Sequence, residues 1–164
     1  MKKLILIFCI LNTIHSTSQN IHFNQEEAFK IHLGLDPGGT ISDGLINANI
    51  EIEYIGLIYA KLGSQVHTGL NPNYLDIHFG IGLNLMLDKF NNYRSYIGLR
   101  GGRIYREDKA RVPFLGAETG LDYTINPSIS VGVRATYDHR TEGDFLGYDR
   151  FWQDNYTIRI GITI

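Results

Sequence analysis

Between Leu75 and Leu85 the chain places an apolar residue at every second position. Leu75, Ile77, Phe79, Ile81, Leu83 and Leu85 alternate with Asp76, His78, Gly80, Gly82 and Asn84. A helix, with about 3.6 residues per turn, would scatter these side chains around its axis, whereas a strand puts all the apolar ones on one face. The last nine residues repeat the pattern, with Tyr156, Ile158, Ile160, Ile162 and Ile164 against Thr157, Arg159, Gly161 and Thr163. Six further segments alternate in the same way, at about Ala28–Leu35, Leu45–Tyr54, Leu57–Val66, Tyr93–Arg103, Leu115–Tyr123 and Ile129–Tyr137. No amphipathic helix is read between them. The chain is therefore expected to be all-β.

The strand count and the connections narrow the architecture. Eight strands of about nine to eleven residues suit a tilted transmembrane strand, and an even number lets a sheet close with both ends on one side. Connections near Gly56, Asp88–Asn92 and Asn126-Pro127 are short. Those at Asp36–Gly44, Gln65–Asn73, Arg103–Val112 and His139–Asn155 are longer. Short turns on one side and long loops on the other predict an eight-stranded antiparallel up-and-down transmembrane β-barrel. The termini and short turns then face the periplasm.

The N-terminus reads as an export signal. Lys2 and Lys3 precede the apolar run Leu4–Leu11, and Ser16, Thr17 and Ser18 supply a small-residue cleavage site. We assign residues 1–18 to the signal and 19–164 to one barrel domain. The only cysteine, Cys9, lies in the signal behind the bulky Phe8, which argues against lipidation. Removing the signal leaves a chain without thiol chemistry or disulfides. The formal charge of −2 carries no basic bias toward nucleic acid.

Alternation alone does not say which face is outside. Three features place the apolar face toward lipid. The polar faces carry Gly80, Gly82, Gly98, Gly120, Gly132 and Gly161 and little lysine, which suits a narrow filled lumen. Tyr54, Tyr74, Tyr93, Tyr123, Tyr137 and Tyr156 stand near strand ends, where a ring with a polar tip is stable between hydrocarbon and headgroups. The last strand, ending at Ile164, has no cover for an open edge, and pairing with the first strand removes that edge.

With its signal, its strand pattern and the segment Tyr156–Ile164, the chain resembles the small outer-membrane β-barrel family, porin-like in build, to which the transmembrane domain of outer membrane protein A belongs. The resemblance covers the whole mature chain. The family often ends in an aromatic residue, commonly Phe, where this chain has Ile164. It implies residence in the outer membrane of a Gram-negative-type cell, contact with outer-membrane lipid and lipopolysaccharide, and folding by the barrel-assembly machinery. It implies no single activity.

Candidate sites follow from the polar faces. Glu51, Glu53, Asp76, His78, Arg94, Arg100, Glu118, Asp122, Arg134 and Arg159 would meet in one lumen. Opposite charges there should pair, because an unpaired buried charge is costly. A gated proton or ion path is the sharper alternative. Asp76 with His78, or Asp138 with His139, could begin a hydrolase or metal site, but no serine or second histidine completes either pattern. In the longest loop Phe145, Tyr148, Phe151 and Trp152 stand among carboxylates and suit a protein or glycan ligand, or else a fold back to the membrane rim. Asp36-Pro37-Gly38-Gly39-Thr40 reads as a turn that opens no helix and cradles no phosphate. The tract Arg100–Arg111, with Arg103, Arg106 and Lys109, could meet lipopolysaccharide phosphates.

The expected protein is a monomer with no cofactor, no metal site and no enzymatic activity, serving envelope structure or surface interaction. The alternatives are an outer-leaflet hydrolase resembling lipid A deacylases and a soluble exported barrel that binds an apolar ligand.

Overall fold

A computed structural model describes residues 27–43, 46–67, 74–106, 111–140 and 152–164. The proposed signal and the loop residues Phe145, Tyr148 and Phe151 lie outside the described residues. Eight strands follow in order: β1 (Ala28–Leu35), β2 (Asn47–Ile55), β3 (Ile58–His67), β4 (Tyr74–Met86), β5 (Tyr93–Arg106), β6 (Val112–Asn126), β7 (Ile129–Arg140) and β8 (Trp152–Thr163). Each pairs antiparallel with its sequence neighbour, and β8 closes on β1 from Lys30↔Thr163 to Leu35↔Ile158. The backbone bond from Ile164 N–H to Phe29 O, 3.0 Å, seals the seam. No strand edge remains open.

The three short turns have local causes. At Asn126 the side-chain Oδ1 accepts from the backbone of both Ser128 and Ile129 at 2.9 Å, fixing the β6–β7 turn. Between β4 and β5, Asp88 Oδ1 accepts from Tyr93 N–H at 2.8 Å, and Asn91 takes the left-handed conformation (φ 58°) that asparagine tolerates. Between β2 and β3, Asn84 donates to Gly56 O at 2.7 Å from inside the barrel.

Two expectations need correction. Asp36 opens a helix after all, α1 (Pro37–Asp43). Its carboxylate accepts from Gly39 N–H at 3.0 Å and Pro37 occupies the first turn, where its missing N–H costs nothing. Two glycines hid this short helix from a reading based on propensity. The strands also outrun the expected loops, with β5 reaching Arg106, β6 starting at Val112 and β8 starting at Trp152. Above the apolar belt the pattern inverts on β5 and β6, with Ile104, Val112 and Phe114 inward and Arg103 outward, so the belt's alternation breaks while backbone pairing continues.

The apolar face points outward on every strand. Leu33 on β1, Ile52 on β2, Leu62 on β3, Phe79 on β4, Leu99 on β5, Leu115 on β6, Val133 on β7 and Ile158 on β8 are all exposed. Such a wall is stable against hydrocarbon and not against water, since monomeric soluble proteins rarely expose so large a continuous apolar surface. Aromatic pairs rim it. Phe29 meets Tyr54 at 5.4 Å and Tyr93 meets Tyr123 at 4.9 Å at the turn end. Tyr137 stacks on Trp152 at 4.8 Å at the opposite end. The side chain of Tyr74 lies outside the described set.

Trp152 is the only tryptophan of the chain, which makes the rim directly measurable. In vesicles its emission should be blue-shifted and quenched most strongly by lipids brominated near the headgroup. Emission typical of water, unaffected by brominated lipid, would contradict this placement.

Candidate functional site: an ion-paired lumen

The inward positions of the strands form a filled polar core. Two tyrosines sit at its centre, Tyr59 from β3 and Tyr96 from β5, edge to face at 5.5 Å. Glycines opposite them leave the necessary room. A Cβ on Gly98 would strike the Tyr59 hydroxyl, and one on Gly120 would strike the Tyr96 ring. The glycines on the polar faces are thus spaces for rings and long charged chains.

Charges surround the tyrosines in near balance. The buried carboxylates are Asp36, Glu51, Glu53, Asp76, Glu118, Asp122 and Asp138. The buried cations are Lys61, Arg94, Arg100, Arg134, Arg140 and Arg159, and the half-buried Lys30 matches the remaining carboxylate in number. Glu51 is the hub. Arg134 pairs with its Oε1, His78 Nε2 lies 2.9 Å from the same oxygen, and Lys61 and Arg159 approach the other at 3.6 and 3.7 Å.

A second cluster lies toward the turn end. Arg159 holds Asp122 in a two-pronged bond at 2.9 and 2.6 Å. Arg94 bridges Glu53 and Asp122 at 2.7 and 3.2 Å, and His32 Nε2 lies 2.6 Å from Glu53. The Tyr96 ring is capped by Arg159 at 4.5 Å and Arg94 at 4.9 Å. Arg159 joins the two clusters, approaching both Glu51 and Glu53 at 3.7 Å, while Glu118 accepts from the Tyr59 hydroxyl at 2.6 Å and pairs with Lys61.

All ten lumen residues named from the sequence are buried inside the barrel. The sequence reading did not name His32, Lys61, Asp138 and Arg140 for the lumen network. Parity on β7 would have added Asp138 and Arg140, which share the inward face of Arg134, whereas β1 and β3 carried no named lumen residue to mark the faces of His32 and Lys61. Arg100 and Arg140 share Asp138 at 3.6 and 3.5 Å near the loop end. There Ile104, Val112 and Phe114 also turn inward and form an apolar patch in the otherwise polar lumen.

The mouth is tied by Asp36. Its Oδ2 accepts from Asn47 at 2.9 Å and from Asn155 at 3.1 Å, linking β1, β2 and β8 beside α1. Gln65 adds a 2.8 Å bond to Asn47 Oδ1.

The histidine pairs do not form a hydrolase. His78 presents Nδ1 to Asp76 at 2.7 Å and Nε2 to Glu51 at 2.9 Å, so neither nitrogen is left to activate a nucleophile. Asp138 and His139 point to opposite sides of β7, as adjacent strand residues must, and His139 packs against Trp152 outside at 4.9 Å. Among the described residues no three His, Cys or carboxylate side chains converge as metal ligands.

The arginine tract divides by the same rule, with Arg100 turned inward and Arg103 outward. Lys109 lies outside the described residues. Trp152 belongs to β8, on the outer wall.

No protein-family model matches the chain, and no curated protein matches it in sequence. Solved structures match in fold. The N-terminal β-barrel domain of Pseudomonas aeruginosa OprF aligns with a TM-score of 0.61 at 10% identity, over 85% of this chain and 100% of that one. Neisserial surface protein A gives 0.58 at 11% identity, and the Yersinia pestis outer membrane protein Ail gives 0.52 at 11%, each again over 85% of this chain and 100% of the other. The fold is that of a small outer-membrane β-barrel. In such a barrel an inward polar face and an outward apolar one are the arrangement that hydrocarbon requires. The charged interior offers no apolar cavity of the kind that the alternative of a soluble ligand-binding barrel requires.

Proposed function

We propose that the chain is an exported, monomeric outer-membrane barrel that acts through its loop end, in surface interaction or envelope structure, rather than as a channel or enzyme. The carrying observation is the Glu51 hub. Cations from β3, β7 and β8 and the His78 imidazole from β4 converge on one carboxylate across the lumen. Cross-lumen pairs of this kind tie opposite walls together and fill the space a solute would need. His78, with both ring nitrogens facing carboxylates, serves as a strut in that network.

With the lumen filled, recognition is left to the loops. The segment 141–151 contributes Phe145, Tyr148 and Phe151 among Glu142, Asp144 and Asp149, and aromatic side chains among carboxylates suit a protein or glycan ligand. The proposed signal over residues 1–18 and insertion by the barrel-assembly machinery belong to the same reading.

The test presents the barrel in nanodiscs to arrays of glycans and surface proteins, beside a variant whose residues 141–151 are replaced by a short Gly-Ser turn. Binding that disappears with the replacement, from a variant that still folds, is the expected result. Binding retained by the variant would sink the loop assignment. The same preparation in planar bilayers should show no steady conductance of porin size, and a steady open-pore current would contradict the filled lumen.

A further inference from the structure

The outward face of the described strands carries one Lys or Arg side chain, Arg103, and its position is informative. Outward residues of β5 run from the rim residue Tyr93 through Ser95, Ile97, Leu99 and Gly101 to Arg103. At about 3.3 Å per residue and a tilt of about 40°, the steps from Tyr93 to Arg103 cover about 25 Å, the height of a barrel's apolar band. With Tyr93 at one interface, Arg103 stands at the other.

A second guanidinium is held nearby. Arg103 pairs in register with Pro113, and Arg111, exposed, directly precedes Val112, where the ladder ends opposite Ile104. The Arg111 guanidinium lies over the Tyr105 ring at 5.3 Å. Among the described residues neither arginine is paired with a carboxylate. The outward carboxylate of the described strands, Asp154, stands on β8, across β6 and β7. Below Arg103, Phe79 and Leu115 lean over Gly101, whose Cβ would lie 3.7 and 3.4 Å from them, and form an apolar floor.

Two nearby like charges repel unless an anion lies between them, and a planar guanidinium binds phosphate oxygens with two parallel bonds. We infer that Arg103 and Arg111 form a site for the phosphate of an outer-leaflet lipid headgroup, whose acyl chains lie on the floor of Phe79 and Leu115. This rests on the reading of the barrel as an outer-membrane protein and adds a specific lipid contact to it.

The test folds wild type and the R103Q/R111Q double variant into phosphatidylcholine vesicles containing diphosphorylated lipid A, extracts them in mild detergent, and counts retained lipid A by native mass spectrometry. Each arginine near an anionic surface contributes about fivefold, so wild type should retain on the order of tenfold more or better. Lys89→Gln, at the turn end, should retain as wild type does. Dephosphorylated lipid A should be lost by all three.

Equal retention by wild type and the double variant, or full retention of dephosphorylated lipid A by wild type, overturns the site. Displacement of lipid A by millimolar inorganic phosphate would mark a free-anion site and overturn the lipid assignment. Heat-dependent gel mobility is read on the same samples. A wild type that never inserts refutes the membrane reading and this site with it, whereas inserted barrels lacking the difference refute the site alone.

Discussion

Replacing Glu51 by Gln is expected to cost the barrel about 3–5 kcal/mol, the usual range when one partner of a buried charge cluster is removed. The substitution keeps the shape and removes the charge that Arg134, Lys61, His78 and Arg159 share. Those groups come from four strands, so the loss is felt across the lumen and not in one hairpin. The neighbouring carboxylates cannot compensate, because Glu118 is committed to Lys61 and Tyr59, and Glu53 to Arg94 and His32. Urea titration of vesicle-inserted protein, followed by the Trp152 emission, reads the effect. A midpoint unchanged from wild type would show that the hub carries no stability. Converting the hub and its main partner together to apolar residues, as E51M/R134M, should recover part of the loss, since an apolar replacement of a whole buried pair is often tolerated.

Leu99→Arg tests the other face. Leu99 is 62% exposed and sits midway along the outward face of β5 between Tyr93 and Arg103. At the bilayer midplane an arginine costs about 2–4 kcal/mol, falling to about 0–1 kcal/mol near the interfaces. The substitution should therefore lower folding yield in vesicles sharply, whereas the same change at Ser95, one outward step from the rim residue Tyr93, should cost far less. Were the outward face in water, Leu99→Arg would be harmless or solubilising. The depth dependence separates the two environments more cleanly than either variant alone.

Much of the fold was readable from one physical regularity. Strand residues alternate faces, and a wall with hydrocarbon outside and charge inside writes that alternation into the chain at every membrane-spanning position. Thus β1 and the turns at Gly56, Asp88–Asn92 and Asn126-Pro127 emerge where alternation starts and stops. The same rule failed where its cause ended. Trp152–Asn155 and Arg103–Arg106 extend the strands beyond the apolar belt, but the first turns polar on both faces after Trp152 and the second sets Ile104 inward and Arg103 outward, so neither continues the belt's pattern.

The partners inside the lumen were harder to see. Parity assigns Glu51 and Arg134 to the interior but does not show that they meet, because contact across a barrel depends on stagger, which no local pattern encodes. Lys61 and His32 were passed over for a related reason. A lysine or histidine on a strand reads as a solvated residue until the opposite wall is known to bring Glu118 or Glu53 to it. The helix α1 depends on one capping carboxylate, Asp36, and that residue's contacts with Asn47 and Asn155 join positions far apart in the chain.

The most direct test of the account is fractionation of expressing cells followed by electrophoresis with and without boiling. A closed barrel with an apolar wall predicts recovery in the outer-membrane fraction, release only by detergent, and a mobility that changes on heating as the cross-lumen pairs and the β1–β8 seam come apart. Recovery in the soluble fraction without detergent, with one mobility at either temperature, would contradict it.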